Sequence, residues 1–183
     1  MTKRRSALRR ALLLMLTAAA LTADSRWHLQ LTEYELSFAS LPPALDGYRI
    51  VVLSDLHGAR FGADNRCLAR AVLAQQPDLI ALTGDFADDH HQLSATAALL
   101  RQLQGVSPIA WVSGNHDWAG GALPALRRLL DQYGVDYVYI SSYERMAFEV
   151  DEAWFVDNCD TVFAEGNVCL YRRRGVHWKS TET

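Results

Sequence analysis

Between residues 48 and 140, short apolar runs alternate with longer segments of helical periodicity, and this alternation limits the fold more than any other feature. The apolar runs are rich in β-branched residues and have the length of buried strands. The segments between them repeat apolar residues every three or four positions. Strands that alternate with helices predict an α/β domain with a largely parallel sheet. The predicted order is strand 48–54, helix 64–76, strand 79–83, helix 92–104, strand 109–113, helix 123–133 and strand 135–140.

The segments on either side of this core, residues 48–140, have weaker patterns. In residues 24–47, Tyr34, Leu36 and Phe38 alternate with polar residues, which predicts a half-buried lead-in strand followed by a linker. Residues 141–183 do not continue the alternation and form an unassigned or divergent tail. Within that tail, Trp154–Val156 is the right length for a short strand.

The N-terminus combines positive charge with a short apolar segment. Five basic residues lie within the first ten positions, and an uncharged run, residues 11–23, follows them. Thirteen residues are too few to cross a bilayer comfortably, because about 20 are usually needed. Residues 1–23 therefore predict a signal peptide or membrane anchor, with the remainder in the cell envelope outside the cytoplasm. An amphipathic helix of a cytosolic protein is the alternative.

Composition and charge exclude some classes of function. Half of the 183 residues are hydrophobic, which is ample for a folded core, and the net charge of −3 offers no basic footprint for nucleic acid. The cysteines have no zinc-ribbon spacing. Cys159 and Cys169 could form one disulfide in an oxidising compartment, or they could be two unpaired thiols.

Acidic, amide and imidazole side chains cluster directly after the first three predicted strands. The carboxyl ends of parallel strands line the ligand crevice of an open α/β sheet, so the three clusters are expected to converge. Mixed oxygen and imidazole ligands suit divalent ions such as Mn, Fe and Zn, and two such ions are a common device for hydrolysing phosphate esters. The clusters are Ser54-Asp55-Leu56-His57, Thr83-Gly84-Asp85-Phe86-Ala87-Asp88 and Ser113-Gly114-Asn115-His116-Asp117.

The ordered set D-x-H, G-D-x-x-D and G-N-H-D resembles the calcineurin-like metallophosphoesterase family, in its membrane-associated bacterial branch. The resemblance covers residues 30–135. It implies an α/β fold in which a metallophosphoesterase-like β-sandwich is flanked by helices, with the βαβαβ half present here. It also implies a hydrolase acting on a phosphodiester or pyrophosphate, with lipid-linked and nucleotide-sugar molecules among the substrates.

The resemblance assigns roles to particular residues. Asp55 and His57 would bind the first metal, Asp85 would bridge two metals, and Asn115 would bind the second. His116 would act at the phosphate as a catalytic residue. Asp117, also in the catalytic group, would orient His116, and Asp88 would make bonds within its own loop.

The chain departs from the family pattern after the third motif. The later lone histidine and the G-H-x-H motif are absent, and His177 matches neither. The second metal would then have only Asp85 and Asn115, so one ion here, instead of the two of the full site, is an alternative. The chain is expected to be either an active enzyme or a truncated, inactive remnant. An incomplete C-terminal half would leave one face of the sheet bare and apolar.

The expected partners follow from this reading: a phosphate-ester small molecule or lipid-linked substrate and a membrane surface, with no nucleic acid and a monomeric state. Smaller features remain open. Arg60 could meet a substrate phosphate, and His90-His91 could lie near the site or in a solvated loop.

Overall fold

The computed structural model of the chain describes residues 14–15, 29–88, 92–119, 123–147, 150 and 152–174. The chain divides into two compact units, residues 1–40 and 41–183. In the first unit, residues 29–38 form neither helix nor strand, so the lead-in strand expected at Tyr34, Leu36 and Phe38 is not observed. Their alternation alone does not supply a partner strand, and a strand without one is not stable.

The second unit contains six strands and six α-helices among its described residues. Short 3₁₀ turns at Pro43–Leu45 and Ala63–Asn65 precede β1 and α1. The strands are β1 (Ile50–Leu53), β2 (Leu79–Leu82), β3 (Ile109–Trp111), β4 (Tyr137–Ile140), β5 (Cys159–Glu165) and β6 (Val168–Arg173). The helices are α1 (Arg66–Ala74), α2 (Leu93–Leu103), α3 (Asn115–Ala119), α4 (Leu123–Gln132), α5 (Ser142–Ala147) and α6 (Glu152–Asn158).

One mixed sheet joins all six strands in the order β1-β2-β3-β4-β6-β5. Strands β1 to β4 are parallel neighbours in chain order. Strand β6 runs antiparallel to β4, and β5 pairs antiparallel with β6 at the edge. The predicted α/β class with a largely parallel sheet is confirmed, and each predicted strand of the core is present but shorter than predicted, by one to three residues.

The core lies between the helices and one face of the sheet. Alternate strand residues on that face, such as Ile80, Leu82 and Ile109, are fully buried. The helices α1, α2 and α4 contact one another in sequence, which places them on this same face. The buried helix residues include Leu68, Val72, Leu99, Leu103, Leu126 and Leu130. Leu73, next to the last residue of α1, is 39% exposed.

The opposite face of the sheet remains uncovered among the described residues. Ile50 and Val52 on the edge strand β1 are 54% and 59% exposed. Tyr139 and Phe163 extend the exposed apolar surface across β4 and β5. Strands that follow one another in order with right-handed crossovers put all their helices on one side, which accounts for the bare side. The exposed apolar surface that the sequence predicted is therefore observed.

The region after residue 140 is more regular than its sequence suggested. Trp154–Val156, read as a short strand, lies inside helix α6, so that interpretation was wrong. The hairpin of β5 and β6 was missed, although Gly166 marks its turn with a φ of 56°. The basic residues at the end of β6 form ion pairs with acidic residues of the same chain. Arg172 and Arg174 form ion pairs with Asp160, and Arg173 pairs with Asp131.

The two C-terminal cysteines are unpaired thiols. In the hairpin, Cys159 lies opposite Arg173, whereas Cys169 lies opposite Ala164. Four residues of β6 therefore separate Cys169 from the position facing Cys159, a distance of about 13 Å along the strand. A disulfide needs Cα atoms within about 7 Å, so of the two alternatives the unpaired one holds.

Candidate metal centre

The three motif loops meet at the carboxyl ends of β1, β2 and β3. The first two loops are joined by backbone hydrogen bonds, from the Asp55 amide to the Gly84 carbonyl (3.1 Å) and from the His57 amide to the Asp85 carbonyl (2.9 Å). The second and third meet where the His116 amide donates to Oδ1 of Asp85 at 2.9 Å. The convergence predicted from strand order is therefore present.

The glycines before Asp85 and Asn115 allow this close approach. A Cβ atom on Gly84 would lie 2.3 Å from the Gly114 nitrogen, and one on Gly114 would lie 2.1 Å from Oδ1 of Asp85. Gly84 also has a φ of 90°, a backbone conformation that residues other than glycine rarely adopt. Only glycine at both positions lets the second and third loops touch.

Asp55, His57 and Asp85 form a group suited to a divalent ion. One ligand atom from each lies within 4.8 Å of the others. All three residues have positive φ, at 55°, 45° and 56° respectively. This conformation costs a non-glycine residue about 1 kcal/mol of conformational free energy, and such strained residues are common at functional sites. Two carboxylates and one imidazole match the preferences of Mn, Fe and Zn, so the donor set fits a metal ion.

Asp88 links the two histidines of the site. Its Oδ1 atom lies 2.5 Å from Nδ1 of His57 and 3.0 Å from Nδ1 of His116. The rings of His57 and His116 meet edge to face at 4.8 Å. The hydrogen bond between Asp88 and His57 raises the pKa of the imidazole and lowers the pKa of the carboxyl. From the sequence, Asp88 was expected to make bonds only within its own loop. Its position three residues after Asp85 is the one feature of the sequence that places it near the site.

His57 uses its two ring nitrogens differently. Nδ1 is held by Asp88, whereas Nε2 lies 3.8 Å from Oδ1 of Asp55. A histidine that binds a metal through one nitrogen usually donates from the other to a carboxylate. His57 therefore presents Nε2 to the candidate metal group. His57, Asp88 and His116 also lie close enough to form a second donor group, which shares His57 with the first.

Asp117 has a different place from the one expected. It is fully buried, and its carboxylate accepts hydrogen bonds from the backbone amides of Gly114 (2.9 Å), Phe86 (3.0 Å) and Asp85 (3.1 Å). Burial raises the pKa of Asp117, and the backbone amides act in the opposite direction. Through these hydrogen bonds Asp117 connects the second loop to the third. We expected Asp117 to contact the His116 ring, but Asp88 makes that contact.

The remaining predicted residues lie around this group. Asn115 is exposed at the first residue of α3, directly after Gly114. Arg60 is exposed and donates to the Ser94 hydroxyl at 2.6 Å, so its guanidinium has a protein partner. His90, His91 and His177 lie outside the described residues.

Comparison with known proteins agrees with these motifs. The profile described as calcineurin-like phosphoesterase matches residues 48–182, most of the chain. The chain belongs to the calcineurin-like phosphoesterase family. The match extends past residue 140, so it includes the β5–β6 hairpin that the sequence pattern left unassigned. Members are metal-dependent phosphoesterases, and the group of Asp55, His57 and Asp85 provides candidate ligands for such a metal.

Three relatives within this family show the extent of the similarity. An uncharacterized metallophosphoesterase of Bacillus subtilis, YkuE, is 29% identical over 148 residues, which is 72% of this chain and 51% of YkuE. Proteins named transmembrane protein with metallophosphoesterase domain, from Danio rerio and Bos taurus, are 27% and 32% identical over 68% and 63% of this chain, and 29% and 27% of their own lengths. The chain thus spans about half of the length of YkuE and less than a third of the length of the other two.

No solved structure gives a significant match to the chain. Across the part of the chain that the structure describes, every helix is too short or too polar to cross a bilayer.

Proposed function

We propose that this chain hydrolyses a phosphate ester with the help of a divalent metal ion held by Asp55, His57 and Asp85. The observation that carries the proposal is the convergence of these three side chains, from two different strand ends, to within 4.8 Å of one another. When bound, the ion supplies Lewis acidity toward the phosphate oxygens. The family membership supports phosphate-ester chemistry.

The chain's own residues perform the remaining tasks. Asp88 fixes the ring of His57 through Nδ1, which keeps Nε2 toward Asp55. His116 holds its ring beside the same carboxylate, with Nδ1 3.0 Å from Asp88. Its other nitrogen is then free to donate a proton to the leaving oxygen of a bound ester, which is general acid catalysis. Asn115 offers an exposed amide oxygen to a second ion or to the substrate.

The substrate we propose is a phosphodiester or pyrophosphate, of the lipid-linked or nucleotide-sugar kind, and the place of action is the cell envelope. Two observations support this. The first 23 residues join a basic segment to an apolar one. The relatives from Danio rerio and Bos taurus are named transmembrane proteins. Fractionation of a tagged full chain tests the location, and recovery in the cytosolic fraction would overturn it.

The activity is tested with bis(p-nitrophenyl) phosphate and Mn²⁺ or Zn²⁺. We expect metal-stimulated hydrolysis by the full chain and a loss of at least about 100-fold in Asp85→Ala, because removal of a metal ligand weakens both binding and charge stabilisation. Asp157→Ala serves as the matched control, since Asp157 is exposed on α6. Equal activity of Asp85→Ala and the unchanged protein would refute the assignment.

A second candidate is a chain that binds one metal ion without turnover. The observation in its favour is that the two donor groups found among the described residues share His57, so they are not two separate sets of ligands. Metal analysis of the purified chain separates the two. Two ions with turnover support the enzyme, whereas one ion without turnover supports the inactive alternative.

A further inference from the structure

A cleft of about 470 Å³ lies at the edge of the sheet opposite the metal centre. Asp78 immediately precedes β2, Pro108 immediately precedes β3, and Tyr137 is the first residue of β4, so the cleft sits at the amino ends of the parallel strands. The strands separate it from the motif loops by roughly 10 Å or more. A volume of this size is typical of small-molecule sites. The cleft is therefore distinct from the proposed phosphoesterase site.

The lining of the cleft is acidic and aromatic. Tyr48, Asp78 and Tyr137 line it, and none of the described residues in its lining carries a positive charge. The nearest basic residue in sequence, Arg49, donates its guanidinium to the Gln75 carbonyl at 3.2 Å. Tyrosine rings and a carboxylate together attract organic cations, because both present negative charge to the ligand.

Asp78 and Tyr48 are held in place by the surrounding backbone. Oδ2 of Asp78 accepts a hydrogen bond from the Arg49 amide at 2.8 Å. The Tyr48 hydroxyl donates to the Asp78 carbonyl at 3.3 Å. Burial, and then the charges of Asp78 and Tyr137, raise the pKa of Tyr48, so its hydroxyl stays neutral. These hydrogen bonds fix the positions of Asp78 and Tyr48.

Ser107 also belongs to the wall of the cleft and is 8% exposed. Its Oγ atom is buried beneath the surface, without a hydrogen-bond partner in the part of the chain that the structure describes, so a ligand in the cleft does not reach it. Pro77, Val106 and Pro108 complete the wall with apolar surface.

We propose that this cleft binds a primary ammonium group carried on a short apolar chain. The N–H groups of the ammonium donate to the Asp78 carboxylate. The charge rests beside the rings of Tyr48 and Tyr137, and the methylene groups contact the prolines and Val106. Free alkylamines and lysine side chains share this chemistry.

The test is binding of n-butylammonium to the purified full chain, measured by calorimetry and ligand-observed NMR. We expect saturable binding with a Kd on the order of 1 mM, a reasonable value for a five-atom ligand. n-Butanol, which has the same shape without the charge, should bind at least about tenfold more weakly. Equal binding of the amine and the alcohol would overturn the proposal.

Variants locate the binding within the cleft. Asp78→Asn keeps an acceptor for the Arg49 amide but removes the charge, and we expect at least about a tenfold loss of amine affinity. Asp157→Asn is the matched control on an exposed acid, and its affinity should be unchanged. If Asp78→Asn binds the amine as the unchanged protein does, the cleft is not the site.

The source of the ammonium group is settled by two further probes. Butane-1,4-diamine represents free amines, and Nα-acetyl-lysine amide represents a lysine side chain. The probe that binds more tightly, and loses affinity in Asp78→Asn, identifies the natural class. Binding of neither probe would overturn the proposal. Because the phosphoesterase assay does not involve this cleft, failure of one test leaves the other unaffected.

Discussion

Nδ1 of His57 lies 2.5 Å from Oδ1 of Asp88, and this contact determines which nitrogen of His57 faces the candidate metal ligands. The opposite nitrogen, Nε2, lies 3.8 Å from Oδ1 of Asp55. The same Asp88 oxygen also reaches the ring of His116. One carboxylate therefore positions both the proposed metal ligand and the proposed proton donor.

Removal of this carboxylate should weaken metal binding. In Asp88→Ala, the His57 ring loses its partner at Nδ1 and rotates freely, so we expect metal affinity to fall by about 10- to 100-fold, the usual effect of losing a carboxylate behind a metal-bound histidine. Calorimetric titration with Zn²⁺ measures it. Asp157→Ala should match the unchanged protein, and an unaltered Kd in Asp88→Ala would show that Asp88 does not position His57.

Strand order brings the candidate metal ligands together, whereas the neighbour of the His116 ring could not be predicted from it. Parallel neighbouring strands bring Asp55 and Asp85 to the same edge of the sheet, independently of the conformation of the loops. The order of the strands was therefore enough to predict that these two residues lie close together. The partner of His116 depends on side-chain direction, which strand order does not reveal. Asp117 follows His116 within helix α3, and neighbouring residues on a helix point about 100° apart. Asp117 therefore turns into the core while His116 stays exposed beside Asp88.

The C-terminal elements were missed for a different reason. A short apolar run such as Trp154–Val156 fits either a strand or a buried helical turn, and periodicity does not separate them. Strand β5 carries an irregularity between Thr161 and Phe163, which breaks the two-residue alternation that would have revealed it. Only the pairing of β6 with β4 fixes this hairpin in the sheet.

The contact between the second and third loops predicts that Gly114→Ala is strongly destabilising. The added Cβ would meet Oδ1 and the backbone nitrogen of Asp85 at 2.1 and 2.5 Å, so the loops must separate. We expect a loss of about 3 kcal/mol in the free energy of unfolding, measured with urea. Gly105→Ala is the control, because nothing lies within 4 Å of its Cβ position and only its φ of 74° opposes the change, at about 1 kcal/mol. Equal losses would rule out the steric contact.

Substitution of Asp117 should reduce the stability of the fold more than it reduces catalysis. Asp117→Asn replaces an acceptor oxygen with an amide that faces the N–H groups of Phe86 or of Gly114 and Asp85. We expect unfolding to become easier by about 2 kcal/mol, since a buried donor loses its partner. At temperatures where the variant is folded, kcat should fall less than fivefold. A large fall in kcat with unchanged stability would instead support the role at His116 that the family resemblance implied.

Tyr171 gives the fold a dependence on alkaline pH. Burial raises the pKa of Tyr171 to about 12, and its contacts with Cys169 and Glu152 add to the rise. An unfolded tyrosine ionises near pH 10, so between these values unfolding releases a proton and stability falls as the pH increases. The decline should reach about 2 kcal/mol by pH 12. Urea unfolding across this range measures it, and Tyr171→Phe, which has no proton to lose, should decline less steeply. Parallel declines in the two proteins would show that Tyr171 does not contribute.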